Sequence, residues 1–150
     1  METKQLVKAL KEQESNLQKF LDSLLKHQHA LIRHNLPLMD ESILVESKIL
    51  KEIHGMDREI VKTMNQLSEQ YSLGTTSTKL LDFTKAVKKF STNDYVNLLQ
   101  VQKSLRGLLV KIQTINSQNN LLIENARSFI KQTFTSLAGA NNDPILNRRV

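Results

Sequence analysis

Four histidines carry the clearest chemical potential in this chain, and their spacing argues against a shared task. His27 and His29 stand two apart, which on a helix turns them to different sides. His27 and His34 share a face but are separated by about 10 Å along the axis, too far to hold one ion. No Glu-x-x-His pair occurs, so the ligand set of a di-iron bundle is missing. His54 has no ligating companion either, and the four read as ordinary surface or half-buried side chains. Glu52 and Glu59 could share a helix face, yet no pocket-forming loops surround them, and solvated face charges are the better reading. The absence of cysteine removes a thiolate zinc site, a disulfide scaffold and a thiol nucleophile together. The four glycines form neither Gly-x-Gly nor a phosphate-binding loop. The expectation is therefore no catalytic, cofactor-binding or metal-binding residue, and a protein that is not an enzyme.

Elements must still be found that give such a chain a purpose. Its 150 residues, with four Gly and two Pro, suit one domain with few turns, which means a few long helices rather than a β-sandwich or barrel. The longest apolar runs are triplets such as Leu108-Leu109-Val110, and the N-terminus opens no signal-peptide pattern. A soluble, cytoplasmic, all-α protein without membrane insertion is expected.

Apolar periodicity predicts an elongated antiparallel, coiled-coil-like bundle of three long helices plus one short helix, over about 4–34, 38–73, 79–90 and 94–138. Together they form a single domain, 1–140, with a flexible polar tail over 141–150. The first helix carries Leu6, Leu10, Leu17, Leu21, Leu24 and Leu31, with Ala9, Phe20, Leu25 and Ile32 widening the stripe. Asn35-Leu36-Pro37 interrupts it, because a residue before proline is pushed out of the helical region. Asp40 and Glu41 then suit a first turn. The second helix carries Ile43, Leu50, Ile53, Ile60, Met64, Leu67 and Tyr71, and Gly74 reads as its left-handed cap. Gly55, within it, would serve a close helix approach or a slight bend. Residues 75–78 are the clearest linker. Leu80, Phe83, Val87 and Phe90 line the short helix, and Ser91 with Asp94 resembles a capping pair. In the last helix Leu98, Leu105, Ile112, Asn119, Ala126 and Thr133 hold one heptad position. Val101, Leu108, Ile115, Leu122, Phe129 and Ser136 hold the other.

The end of that last helix is more apolar than a seam requires. Leu121, Leu122, Ile123, Phe129, Ile130, Phe134 and Leu137 spread over a wide arc, and only Leu122 and Phe129 lie on the seam. Either another helix covers the arc, the short one being the nearest candidate, or an amphipathic partner docks there. Charge points to the same half. Of a net charge of +6, residues 1–75 contribute −1 and residues 76–150 contribute +7. Nucleic acid is not the expected partner, since Phe83 and Phe90 belong to the apolar stripe and leave little aromatic interleaving among the bases. The basic 79–90 segment reads as a solvated face, and the charge as part of a surface for a protein helix that carries acid.

The layout resembles the FlgN family. The resemblance rests on the charged-Leu rhythm Glu46-Ser47-Lys48-Ile49-Leu50-Lys51-Glu52-Ile53 in the second helix and on the broken middle. It rests most on Asn119-Asn120-Leu121-Leu122-Ile123-Glu124-Asn125-Ala126, followed by Phe129-Ile130 and Leu137-Ala138-Gly139, and covers about residues 3–140. It implies a small cytoplasmic chaperone of flagellar type III export. Such a protein captures the C-terminal amphipathic region of hook–filament junction (hook-associated) proteins, prevents their early assembly and delivers them to an export gate component. It also makes Leu121, Leu122, Phe129, Ile130, Phe134 and Leu137 the candidate contacts of a protein that is monomeric when free. The competing expectation is a structural or regulatory coiled coil that self-associates through the same arc.

Overall fold

The computed structural model describes residues 2–137. It contains four helices in the order α1 Lys4–Ile32, α2 Leu36–Gln70, α3 Leu80–Val87 and α4 Thr92–Leu137. The chain is all-α, a helical bundle. α1 is its middle member and packs along both α2 and α4, which make little direct contact with each other, while α3 packs on α4. The core is the meeting of three stripes: Leu6, Leu10, Leu17 and Leu21 of α1, Ile49, Ile53, Ile60, Met64 and Leu67 of α2, and Leu98, Val101, Leu105 and Leu108 of α4, closed at one end by Phe83 and Val87.

Direction follows from cross-helix hydrogen bonds. The Thr3 hydroxyl donates to Asp94 Oδ1 (2.6 Å), Ser104 Oγ to Glu14 Oε1 (2.7 Å) and Gln28 Nε2 to Gln118 Oε1 (2.9 Å). Partner numbers rise together, so α1 and α4 run parallel, in the up-down-up order that follows from an α1–α2 hairpin. The backbone N–H of Glu2 donates to the Tyr71 hydroxyl at 3.1 Å, which places the end of α2 beside the start of α1. This end is the base of the bundle, and the α1–α2 turn is its tip.

The boundaries at both ends of α2 have a different local cause from the one the sequence implies. α1 ends because His34 takes a left-handed φ of 52°. The N–H of His34 then bonds the Leu31 carbonyl and that of Asn35 the Ala30 carbonyl, the paired closure of a Schellman motif. Asn35 next caps α2, its Oδ1 accepting the N–H of Leu38 at 3.2 Å. Pro37 lies in the first turn, where its missing N–H would have had no partner anyway. It starts a helix rather than ending one, and Asp40 and Glu41 consequently fall beyond the first turn. At the far end the left-handed residue after the helix is Ser72, at φ 51°, two residues before the equally left-handed Gly74. The N–H of Leu73 reaches back to the Ser68 carbonyl and closes the helix before glycine is needed.

Further differences concern register and spacing. The buried row of α2 is Ser42, Ile49, Ile53, Ile60, Met64 and Leu67, so Ile43 and Leu50 stand one position off the core and are exposed. α3 stops at Val87, whose carbonyl receives the N–H groups of both Phe90 and Ser91. That tight turn redirects the chain into α4 and leaves Phe90 outside the helix and exposed. Gly55 serves no close approach, since a Cβ placed there would meet nothing nearer than Arg58 Nη2 at 3.9 Å. The Ser91 hydroxyl caps α4 by accepting the Asp94 N–H at 3.3 Å. The Asp94 carboxylate accepts from Thr3 instead of returning to Ser91.

Candidate partner-binding surface

The heptad seam of α4 can be followed residue by residue. Leu98, Val101, Leu105 and Leu108 are buried; Ile112, Ile115, Leu122 and Ala126 are half-buried; Phe129, Thr133 and Ser136 are exposed. The seven-residue spacing continues along the helix, but beyond Leu122 only Phe129 among the seam residues is large and apolar, and the neighbour changes as well. The Gln28–Gln118 bond sets a register in which Ile32, the last residue of α1, is level with about Leu122. Beyond it α4 continues to Leu137 with no helix among the described residues beside its seam, a described overhang of 15 residues or roughly 22 Å.

Asn119 marks the last point of close attachment. Its side chain is 2% exposed, and its Nδ2 donates to the Leu24 carbonyl at 3.0 Å while Oδ1 has no partner among the described residues. A polar residue on a seam fixes register at a cost in stability. Here it holds α4 against α1 one turn before the overhang starts.

The seven residues singled out in the sequence divide along this boundary. Leu122 and Ile123 are half-buried against the end of α1. Leu121 (59% exposed), Phe129 (66%) and Leu137 (80%) face solvent. Ile130 and Phe134 belong to the helix, but their side chains lie outside the described set, as does the 141–150 tail. α3 does not cover the arc: it packs at the base, with Leu80 near Leu105 and Leu109.

Sequence reasoning missed the apolar surface of the hairpin tip. Leu25, Ile32, Leu36, Ile43, Leu44, Val45 and Leu50 are all exposed, beside the root of the overhang. The available signal was the row Leu36–Ile43–Leu50, seven residues apart and one position from the Ile49–Ile53–Ile60 row. Only the second row continues through the rest of α2, which marks it as the core. The histidines also resolve. His27 is buried and its Nδ1 lies 2.8 Å from Glu46 Oε1, tying α1 to α2. Among the described residues no group of His, Cys, Asp or Glu could hold a metal ion.

The fold is thus an all-α scaffold whose longest helix outruns its support and carries apolar side chains in solvent at that end. The family model described as FlgN protein matches residues 1–147, and the chain belongs to that family and so, in general terms, to the flagellar export chaperones. The match continues past residue 140, where the resemblance read from the motifs stops. No curated protein and no solved structure matches the chain. No helix among the described residues is long and apolar enough to cross a membrane.

Proposed function

We propose that this protein is a cytoplasmic type III export chaperone that captures the C-terminal amphipathic region of a hook–filament junction protein on the overhang of α4. It withholds that segment from early assembly and presents it to an export gate component. It acts by binding, without catalysis or cofactor, and is a monomer when free. One observation carries the reading: at and beyond the end of α1, α4 leaves Leu121, Phe129 and Leu137 in solvent, Phe129 on the seam itself at 66% exposure. A disordered amphipathic segment that folds onto this face supplies the missing helix. Burial of Leu121, Phe129 and Leu137 would contribute on the order of 1.5–3 kcal/mol each, against the ordering cost of the segment.

Calorimetry with a C-terminal peptide of a hook-associated protein tests the proposal. Phe129→Asp with Leu137→Asp is expected to abolish measurable binding while circular dichroism stays unchanged. Undiminished binding by that variant would remove the overhang as the docking face. The same unpaired seam also fits self-association, the second reading. Light scattering is expected to give a concentration-independent monomer mass; a mass that doubles with concentration favours the second reading.

A further inference from the structure

We propose that the groove between α1 and α4 at Gly107 receives an acidic helical segment of a protein partner. The groove, about 540 Å³, is lined by Lys11, Glu14 and Lys19 of α1 and by Lys103, Gly107 and Lys111 of α4. Lys11 and Lys19 on α1, and Lys103 and Lys111 on α4, are each eight residues apart. On parallel helices in this register they stand at the corners of a frame about 12 Å long. Two turns of a visiting helix span nearly the same length, so carboxylates seven or eight residues apart on one face would each meet lysine.

Three observations favour an acidic occupant over a solvated lysine face. The lysines are not neutralised: the only ion pair among the described residues is His27–Glu46, on the other side of α1. Four lysines outnumber the single carboxylate that lines the groove, Glu14, which accepts the Ser104 hydroxyl at 2.7 Å and keeps its charge. The floor is also open where a helix would normally carry a side chain. Gly107 sits in mid-helix at a cost of about 1 kcal/mol relative to Ala. Nothing packs on it, for a Cβ placed there would find no atom within 4 Å. A glycine that neither a turn nor a close helix contact requires leaves room for something outside the bundle.

Shape separates the possible anions. The lysines line an elongated trough between two parallel helices, which matches the shape of a third helix, and no aromatic side chain lines it for stacking on bases. The trough also leads somewhere. Seven-residue steps carry Lys11 through Gln18 to Leu25 and Ile32, and Gly107 through Thr114 to Leu121. The groove thus turns from basic to apolar as it nears the tip, where Leu25, Ile32 and Leu121 are exposed. The matching segment is a helix that is acidic at one end and apolar some four turns away. The inference rests on the chaperone reading for the identity of the partner, but not for the chemistry of the groove.

A fluorescein-labelled, Ala/Gln-based 21-residue helix with Glu at positions 1, 8 and 15 probes the groove alone. Fluorescence anisotropy at low salt is expected to show binding that disappears when Gln replaces Glu. Lys103→Ala with Lys111→Ala is expected to weaken it about fivefold, the scale of two exposed ion pairs. Lys85→Ala with Lys89→Ala, an equal charge change on α3 and the turn after it, is expected to alter it by less than about twofold. Gly107→Met, which fills the floor without changing charge, is expected to weaken it as well. Equal losses from the two lysine pairs, or no loss from Lys103 and Lys111, would overturn the proposal. So would phosphatidylserine vesicles that bind with the same dependence on Lys103 and Lys111. Phe129→Asp with Leu137→Asp is expected to leave this peptide's binding unchanged, so failure of the groove and failure of the overhang are read separately.

Discussion

The base and the tip of the bundle are built from the same helices and end up as opposite kinds of surface. At the base, Leu6, Phe83, Val87 and Leu98 have no measurable exposure, and the Thr3–Asp94 and Glu2–Tyr71 bonds join three parts of the chain. At the tip, Leu36, Ile43, Leu121 and Phe129 stand in solvent. Apolar content does not distinguish the two regions. The base has α3 and the linker folded over it, whereas at the tip α1 stops and α4 continues. Whether a heptad position is buried or exposed follows the length of the neighbouring helix together with the residue that fills it.

Hydrogen exchange should show the contrast at its largest. Amides of residues 98–108 are expected to open only with global unfolding, on the order of 5–15 kcal/mol, and those of residues 127–137 with nearly none of that protection. Uniform protection along α4 would break the comparison. Two truncations give the next largest effect. Phe83→Ala empties a fully buried site and is expected to cost about 3–5 kcal/mol in urea unfolding. Phe129→Ala is expected to change stability by less than about 0.5 kcal/mol, and a loss similar to that of Phe83→Ala would mean the overhang is packed. The smallest effect sharpens the picture of the tip. His34→Gly relieves a left-handed residue and is expected to raise the urea midpoint slightly, by under about 1 kcal/mol of stability. A lowered midpoint would show that the imidazole contributes contacts to the turn.

Much of this architecture was legible in the sequence, for identifiable reasons. Seven-residue repeats in α4 are long enough to fix its seam, and Asn119 and Phe129 stand where the repeat puts them. Pro37 and the Thr/Ser run at 75–78 marked the chain reversals, even though the closure at His34 belongs to backbone geometry that residue type does not encode. The register of α2 was not legible near its start, because Ile43–Leu50 and Ser42–Ile49 are rival rows and only packing against α1 chooses between them. The candidate surface was half visible. A wide arc at 121–137 can be read from composition. That α1 falls short of it depends on the parallel register, which is set by long-range bonds such as Gln28–Gln118. The lysine frame was hidden for the same reason, since Lys11 and Lys103 meet only across helices.

The attachment of α4 at both ends of its shared length with α1 has a metric consequence. Thr3–Asp94 at one end and Asn119–Leu24 at the other prevent α4 from sliding along α1, so the point at which α4 leaves α1 is constant. The root of the overhang is therefore a fixed point, about level with Leu122. In the proposed capture, a segment that continues past that root runs back alongside α1 towards the groove at Gly107, with no change of register between the two helices.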